Sequence, residues 1–293
     1  IPWCAISYLA ESTLTKGTIW AGTADGQVQL TRDDGKNWTN LTARIDALGG
    51  RPNAYVSRVR ASSHVAGRAY VSRSGYKFDD FRPYLYVTDD FGATWRSLAA
   101  GLPNQPINVI AEDPANPDLL FVGNDHGVYV SIDRGAHWTR MNNTIPNIPI
   151  RDIIIHPRTR DLLLGSYGRG IFVTNIAALE EMSGAMLAKE VHLFATRPAI
   201  QRVIWSYGAN DYLFGQHQLQ TPNEPNGMVI RYYLKTATTG PATIAIANAA
   251  GQEVARLQGR STAGVNEVVW NMRYPGGRGG GGGRGGAGGG TTI

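Results

Sequence analysis

The sequence predicts an all-β fold: a partial β-propeller of about four blades, each of four antiparallel strands, with a smaller β-rich segment after it. Three observations predict it. An eight-residue pattern, S/T-x-D-x-G-x-x-W, occurs at Thr31–Trp38, Thr88–Trp95 and Ser131–Trp138. The spacings suit a repeat of one blade, 57 residues from Asp33 to Asp90 and 43 from Asp90 to Asp133. Short alternating apolar runs bounded by Gly, Pro, Asn and Asp fill each interval, as half-buried strands require.

The third unit parses most plainly, into Ile107–Glu112, Leu119–Gly123, Val128–Ile132 and Trp138–Met141. Four strands in roughly 43 residues make one blade. The first unit reads as Cys4–Leu9, Thr18–Gly22, Val28–Thr31 and Trp38–Leu41. The second reads as Val56–Ser62, Arg68–Ser72, Tyr84–Thr88 and Trp95–Leu98. A fourth copy follows in register, with Arg151–His156, Leu162–Ser166 and Ile171–Asn175 but no outer strand. The longer first interval is assigned to two loop insertions, Arg73–Pro83 and Ala43–Ala54, which backbone energetics tolerate.

Each repeated motif is placed on the hairpin joining third and fourth strands. Its glycine (Gly35, Gly92, Gly135) supplies positive φ, and its aspartate (Asp33, Asp90, Asp133) accepts turn N–H groups. The Ser or Thr hydroxyl adds a local bond. The tryptophan (Trp38, Trp95, Trp138) opens the outer strand and packs between blades. The aspartates are read as turn-formers with no reaction to perform.

These motifs resemble the BNR or Asp-box repeats shared by sialidases, xyloglucanase-type glycosidases and the sortilin-type receptor propeller. The nearest likeness is to bacterial sortilin-like proteins labelled glycosyl hydrolase, carried also by Asp79–Thr88, Gly165–Val173 and Asn226–Lys235. The resemblance implies a propeller and an extracytoplasmic or secreted location. It leaves activity open, because the same turn serves enzymes and receptors.

The propeller is assigned residues 1–176, and a helix with an irregular linker residues 177–227. Asn175 is placed as cap of a short helix over Ile176–Met182, ended by Gly184. Strand patterns then resume at Val229–Leu234, Ala242–Asn248, Glu253–Gln258 and Asn266–Met272, with a hairpin turn at Asn248–Gly251. Their order resembles bacterial Ig-like modules of the secretion-sorting type, so residues 228–274 are expected to form an Ig-like β-sandwich fragment without its closing strand. Residues 275–293 form a Gly-rich segment with 12 glycines among the 15 residues of Gly276–Gly290, a composition that buries no core.

In a propeller the loops between second and third strands share a face with the blade-to-blade loops, opposite the repeated turns. Candidate functional residues on that loop face are Asp25, Tyr76, Lys77, Asp79, Asp80, Arg82, Asp125, His126, Tyr167 and Arg169. Glycoside hydrolysis needs two carboxylates about 5–9.5 Å apart, one of them an acid. Asp79 or Asp80 with Asp125 is the candidate catalytic set. Tyr76, Lys77, Arg82, His126, Tyr167 and Arg169 are the candidate ligand contacts. The first reading is a binding or scaffold propeller recognising peptide or glycan. The second is a sialidase- or xyloglucanase-like hydrolase whose site lies partly outside this chain.

Composition narrows the classes. The net charge of +5 is scattered without a basic run, so no nucleic-acid partner is expected. No apolar run reaches the ~18 residues of a membrane span. The six His are dispersed, and no metal or other cofactor is expected. The single Cys4 sits in an apolar stretch and is expected to be buried. The first residues form no signal peptide, which reads as a fragment or processed product. Further blades of a parent protein, or another copy, are expected to complete the arc.

Overall fold

The computed structural model describes residues 4–141, 145–200 and 225–273. The chain divides into two compact units, Ile1–Met182 and Ser183–Thr291. The Gly-rich tract and residues 201–224 of the linker lie outside the described residues.

The first unit is a partial β-propeller. Blade 1 comprises β1 (Ile6–Glu11), β2 (Ile19–Thr23), β3 (Val28–Thr31) and β4 (Thr39–Asn40), hydrogen-bonded in that order. After a short helix α1 (Thr42–Asp46), blade 2 repeats the plan with β5 (Tyr55–Ala61), β6 (Ala69–Gly75), β7 (Asp80–Thr88) and β8 (Arg96–Ser97). Blade 3 is β9 (Ile107–Glu112), β10 (Leu120–Asn124), β11 (Gly127–Ser131) and β12 (Thr139–Arg140). Blade 4 has three strands among the described residues: β13 (Ile150–His156), β14 (Asp161–Ser166) and β15 (Ile171–Asn175). All neighbours are antiparallel.

Three apolar clusters hold the blades together, one at each junction. Trp20, Val28 and Leu30 of blade 1 meet Val56, Val59 and Val71 of blade 2. Tyr70, Leu85 and Val87 of blade 2 meet Ile107, Ile110 and Leu120 of blade 3. Val109, Phe121 and Val128 of blade 3 meet Ile150, Ile153 and Leu164 of blade 4. The period-2 alternation of each strand gives a blade two apolar faces, one for each neighbour.

The repeated turn is built identically three times. The Thr31 hydroxyl donates to Asp33 (2.8 Å) and accepts from the Gly35 N–H (2.9 Å), while Asp33 accepts the Asn37 N–H (2.9 Å). Thr88, Asp90, Gly92 and Thr94 repeat this set, as do Ser131, Asp133, Gly135 and His137. Each glycine has φ near +80°, and the residue before it is also left-handed: Asp34, Phe91 and Arg134 lie at +58°, +56° and +58°. That second left-handed residue escapes the motif, because its N–H is fixed instead by a neighbouring loop carbonyl, Gly17, Gly67 or Asp118.

Three expectations are corrected. Cys4 is exposed rather than buried. It precedes the first paired residue, takes φ +70°, and lies 3.6 Å from an Asp25 oxygen, whose charge chiefly raises its thiol pKa. The insertion at Arg73–Pro83 is mostly strand: β6 and β7 continue until Gly75 pairs Asp80, leaving only the 3-10 turn Tyr76–Phe78 at the tip. The outer strands are two residues long, because Leu41, Leu98 and Met141 turn inward while their N–H groups still reach β3, β7 and β11.

At the end of this unit lies α2 (Ala177–Glu180), where Asn175 accepts the Ala177 N–H. The second unit opens with α3 (Gly184–Leu187), capped by the Ser183 hydroxyl. It contains a sheet of β16 (Val191–Leu193), β17 (Met228–Leu234) and β20 (Gly264–Trp270) and a hairpin of β18 (Ala242–Ala247) with β19 (Glu253–Gly259). Ile230, Tyr232, Leu234 and Ala255 are buried in it. Asn248 closes the hairpin by accepting the Ala250 and Gln252 N–H groups, with Gly251 at φ +78°.

Candidate functional site

The extended hairpin of blade 2 dominates the loop face. Its tip presents Tyr76 and Lys77, with Lys77 Nζ 5.7 Å from the centre of the Tyr55 ring. Arg51, from the insertion before β5, stacks its guanidinium 4.3 Å over the Phe78 ring. Tyr76 and Phe81 are exposed large aromatics. Asp79 ends the 3-10 turn at φ +56° and donates its N–H to the Tyr76 carbonyl.

Asp80 is committed to its own strand. Arg82 donates to both its oxygens (2.9 and 2.7 Å), and the Tyr84 hydroxyl adds a third bond at 2.6 Å. These bonds, the guanidinium foremost, hold the Asp80 carboxyl far below the usual carboxylate range against the opposing effect of burial. Tyr84 is pushed up to about 12, first by burial and then by the same bond. Asp80 is therefore a fixed anion with no proton to donate.

A second group surrounds the start of the inner strands of blades 3 and 4. Asp125, in the β10–β11 turn, accepts from Asn108 Nδ2 (2.9 Å) and lies 3.7 Å from Arg151. Arg151 donates to Asn108 Oδ1 (2.7 Å) and sits 5.7 Å from the centre of the exposed Tyr167 ring. His126 is held in the turn by the Asn124 side chain, and its carbonyl accepts from Arg140. Arg169 lies on an exposed turn between Gly168 and Gly170, both at positive φ. Asp25 accepts the Thr23 hydroxyl within the corresponding blade 1 turn.

The structure thus gathers Asp80 with Arg82 and Tyr84, and Asp125 with Asn108, Arg151 and Tyr167. Asp80 and Asp125 keep separate sets of partners.

Two arginines of blade 2 were missed as site-builders. Arg73 is fully buried and joins Asp46 of α1 (2.6 Å) to the Gly26 carbonyl of blade 1 (2.8 Å). Arg58 packs 4.2 Å over the Tyr8 ring, donates to its hydroxyl, and reaches Asp152 on blade 4 at 2.6 Å. Each occupies a strand position where another blade carries a small or apolar residue, and that mismatch was the available signal. Among the described residues no group of three His, Cys, Asp or Glu is placed to hold a metal. Among the described residues no helix is long and apolar enough to cross a membrane.

No family model and no curated protein matches this sequence. Solved structures do. The GH74 xyloglucanase from Xanthomonas campestris is similar with TM-score 0.48 and 14% identity over 59% of this chain and 30% of that one. A GH74 enzyme from Niastella koreensis gives TM-score 0.46 and 14% identity, covering 87% of this chain and 37% of that one. YCF48 bound to D1 peptide gives TM-score 0.43 and 16% identity, covering 60% and 52%. The chain spans about a third of the two hydrolases and half of YCF48.

Proposed function

We propose that the first unit is a binding propeller which recognises a glycan or an extended peptide on its loop face. The supporting observation is the blade 2 hairpin. It combines solvent-facing aromatic rings with fixed cations, beside a carboxylate that carries no proton. Aromatic faces stack on the apolar faces of sugar rings or on side chains, and the exposed Arg82 guanidinium offers further directional donors. In keeping with the sequence resemblance, the repeated turns belong to the Asp-box class, residues 228–274 are an Ig-like fragment, and the protein works outside the cytoplasm.

Hydrolysis is the second reading, and Asp125 is the observation that favours it, since that carboxylate shares Arg151 with an exposed tyrosine, Tyr167. Asp80 does not fit the acid role, so a partner acid would have to come from elsewhere. The two readings separate by titration calorimetry against xyloglucan oligosaccharides and a peptide library, run alongside a reducing-sugar assay. Binding that falls at least tenfold in the double variant Tyr76→Ala, Phe81→Ala, without sugar release, supports recognition. Sugar release abolished by Asp125→Asn, or no binding of either class, overturns it.

A further inference from the structure

Superposing the blades by strand register exposes a mismatch at the two ends of the arc. On the inner strands one pair of positions faces the preceding blade: Val56 and Val59 in blade 2, Ile107 and Ile110 in blade 3, Ile150 and Ile153 in blade 4. All six are buried, at 0–5% exposure. The same positions in blade 1 are Ile6 and Leu9, still apolar but 61% and 54% exposed.

The opposite face shows the complementary gap. On the third strands, Val28 and Leu30, Leu85 and Val87, then Val128 and Val130 pack against the following blade. Their counterparts in blade 4, Ile171 and Val173, are 71% and 62% exposed. On the second strands, Gly22 and Gly123 leave no room for a Cβ, because Val56 and Ile150 of the next blade press on them at 2.3 and 2.9 Å. Gly165 occupies the same register, and a Cβ there would meet only Asp152 of its own blade, at 3.5 Å. Among the described residues that seat has no occupant from another blade.

The repeated turns agree. Trp95 stacks edge-on against Trp20 of the preceding blade, and Trp138 donates to the Leu98 carbonyl of the preceding blade at 2.8 Å. Trp38 has no preceding blade among the described residues and is exposed.

We infer that two copies of this chain associate head to tail, with Ile6, Leu9 and Trp38 of one docking on the Gly165, Ile171 and Val173 face of the other. The interface continues a junction the chain already builds three times, and one chain carries both of its halves. Such a contact is heterologous, and two copies joined at both ends close it. Eight blades lie within the range of known propellers.

Light scattering and sedimentation velocity from about 1 to 100 µM test this on the full chain. A dimer is expected, with association weakened at least tenfold by Ile6→Asp with Leu9→Asp and likewise by Ile171→Asp with Val173→Asp. Because these side chains are exposed in the single chain, each variant should keep the parent's far-UV circular dichroism, which separates lost docking from misfolding. Mixing the two variants is decisive: each retains the half the other has lost, so the mixture should form dimers while neither does alone. A monomer at every concentration would overturn the inference and point to further blades of a longer polypeptide as occupants. So would a dimer that survives both substitutions, or a failure of the mixture to associate.

Discussion

Gly123→Ala tests the blade junctions at a single methyl group. The new Cβ would lie 2.7 Å from a Val109 methyl and 2.9 Å from an Ile150 methyl, where ordinary contact begins near 3.4 Å. Both neighbours belong to the sealed blade 3–4 cluster, with Val109 and Ile150 almost wholly buried, so neither has space to retreat. Overpacking of this kind costs about 1–3 kcal/mol. Alanine's lower chain entropy offsets about 0.5–1 kcal/mol of that. The net loss is about 0–2.5 kcal/mol, or up to about 10 °C in Tm for a unit of this size. Gly22→Ala should cost at least as much, since Val56 stands closer. Gly165→Ala, at the same register of blade 4, should be neutral or stabilise by up to about 1 kcal/mol in dilute solution. Urea unfolding of the three variants at low concentration gives the comparison. Equal losses at Gly165 and Gly123 would refute the reasoning, because they would require a packed outer face on blade 4.

Acid should act through the repeated turns. Asp33 is lowered to about 2, first by the Asn37 N–H, and Asp90 to about 2, first by the Thr94 hydroxyl. An unfolded aspartate titrates near 3.9. The folded groups thus contribute stability that is complete above about pH 4 and lost as pH falls towards about 2. Tm measured from pH 7 to 2 should drop in that window, and less steeply for Asp33→Asn with Asp90→Asn; an unchanged slope would count against the turns. Arg73→Met keeps volume but strands the Gly26 carbonyl and Asp46. It should cost about 2 kcal/mol, at the low end for a broken buried pair because Asp46 is partly solvated, and an unchanged urea midpoint would refute it. Trp138→Phe removes one indole bond to Leu98 and should cost about 1 kcal/mol by the same measurement.

The blades were legible because each depends on local chemistry. A hydroxyl, a carboxylate and a glycine within five residues make the turn, and alternation within a strand sets its two faces. What escaped reading depends on partners distant in sequence. Arg58 finds Asp152 and Tyr8 across other blades, and Arg73 finds Gly26 and Asp46. The length of the blade 2 hairpin also hid: Gly75 and Asp80 read as loop residues, yet antiparallel pairing with each other outweighs their weak strand preference. At the candidate site, the residue types of the loop face could be named in advance. The capture of Asp80 by Arg82 and Tyr84 could not, because residues two apart share a face only within a strand, and Arg73–Pro83 reads as a loop.

The Arg58 guanidinium has a consequence for any ligand. It lies where inner strands converge on the axis, reaching blades 1 and 4 from blade 2, and is almost wholly enclosed. The middle of the arc is therefore stoppered by a charged side chain. On the proposed reading, a sugar chain or peptide at the loop face would meet this side chain and lie lengthwise along the surface.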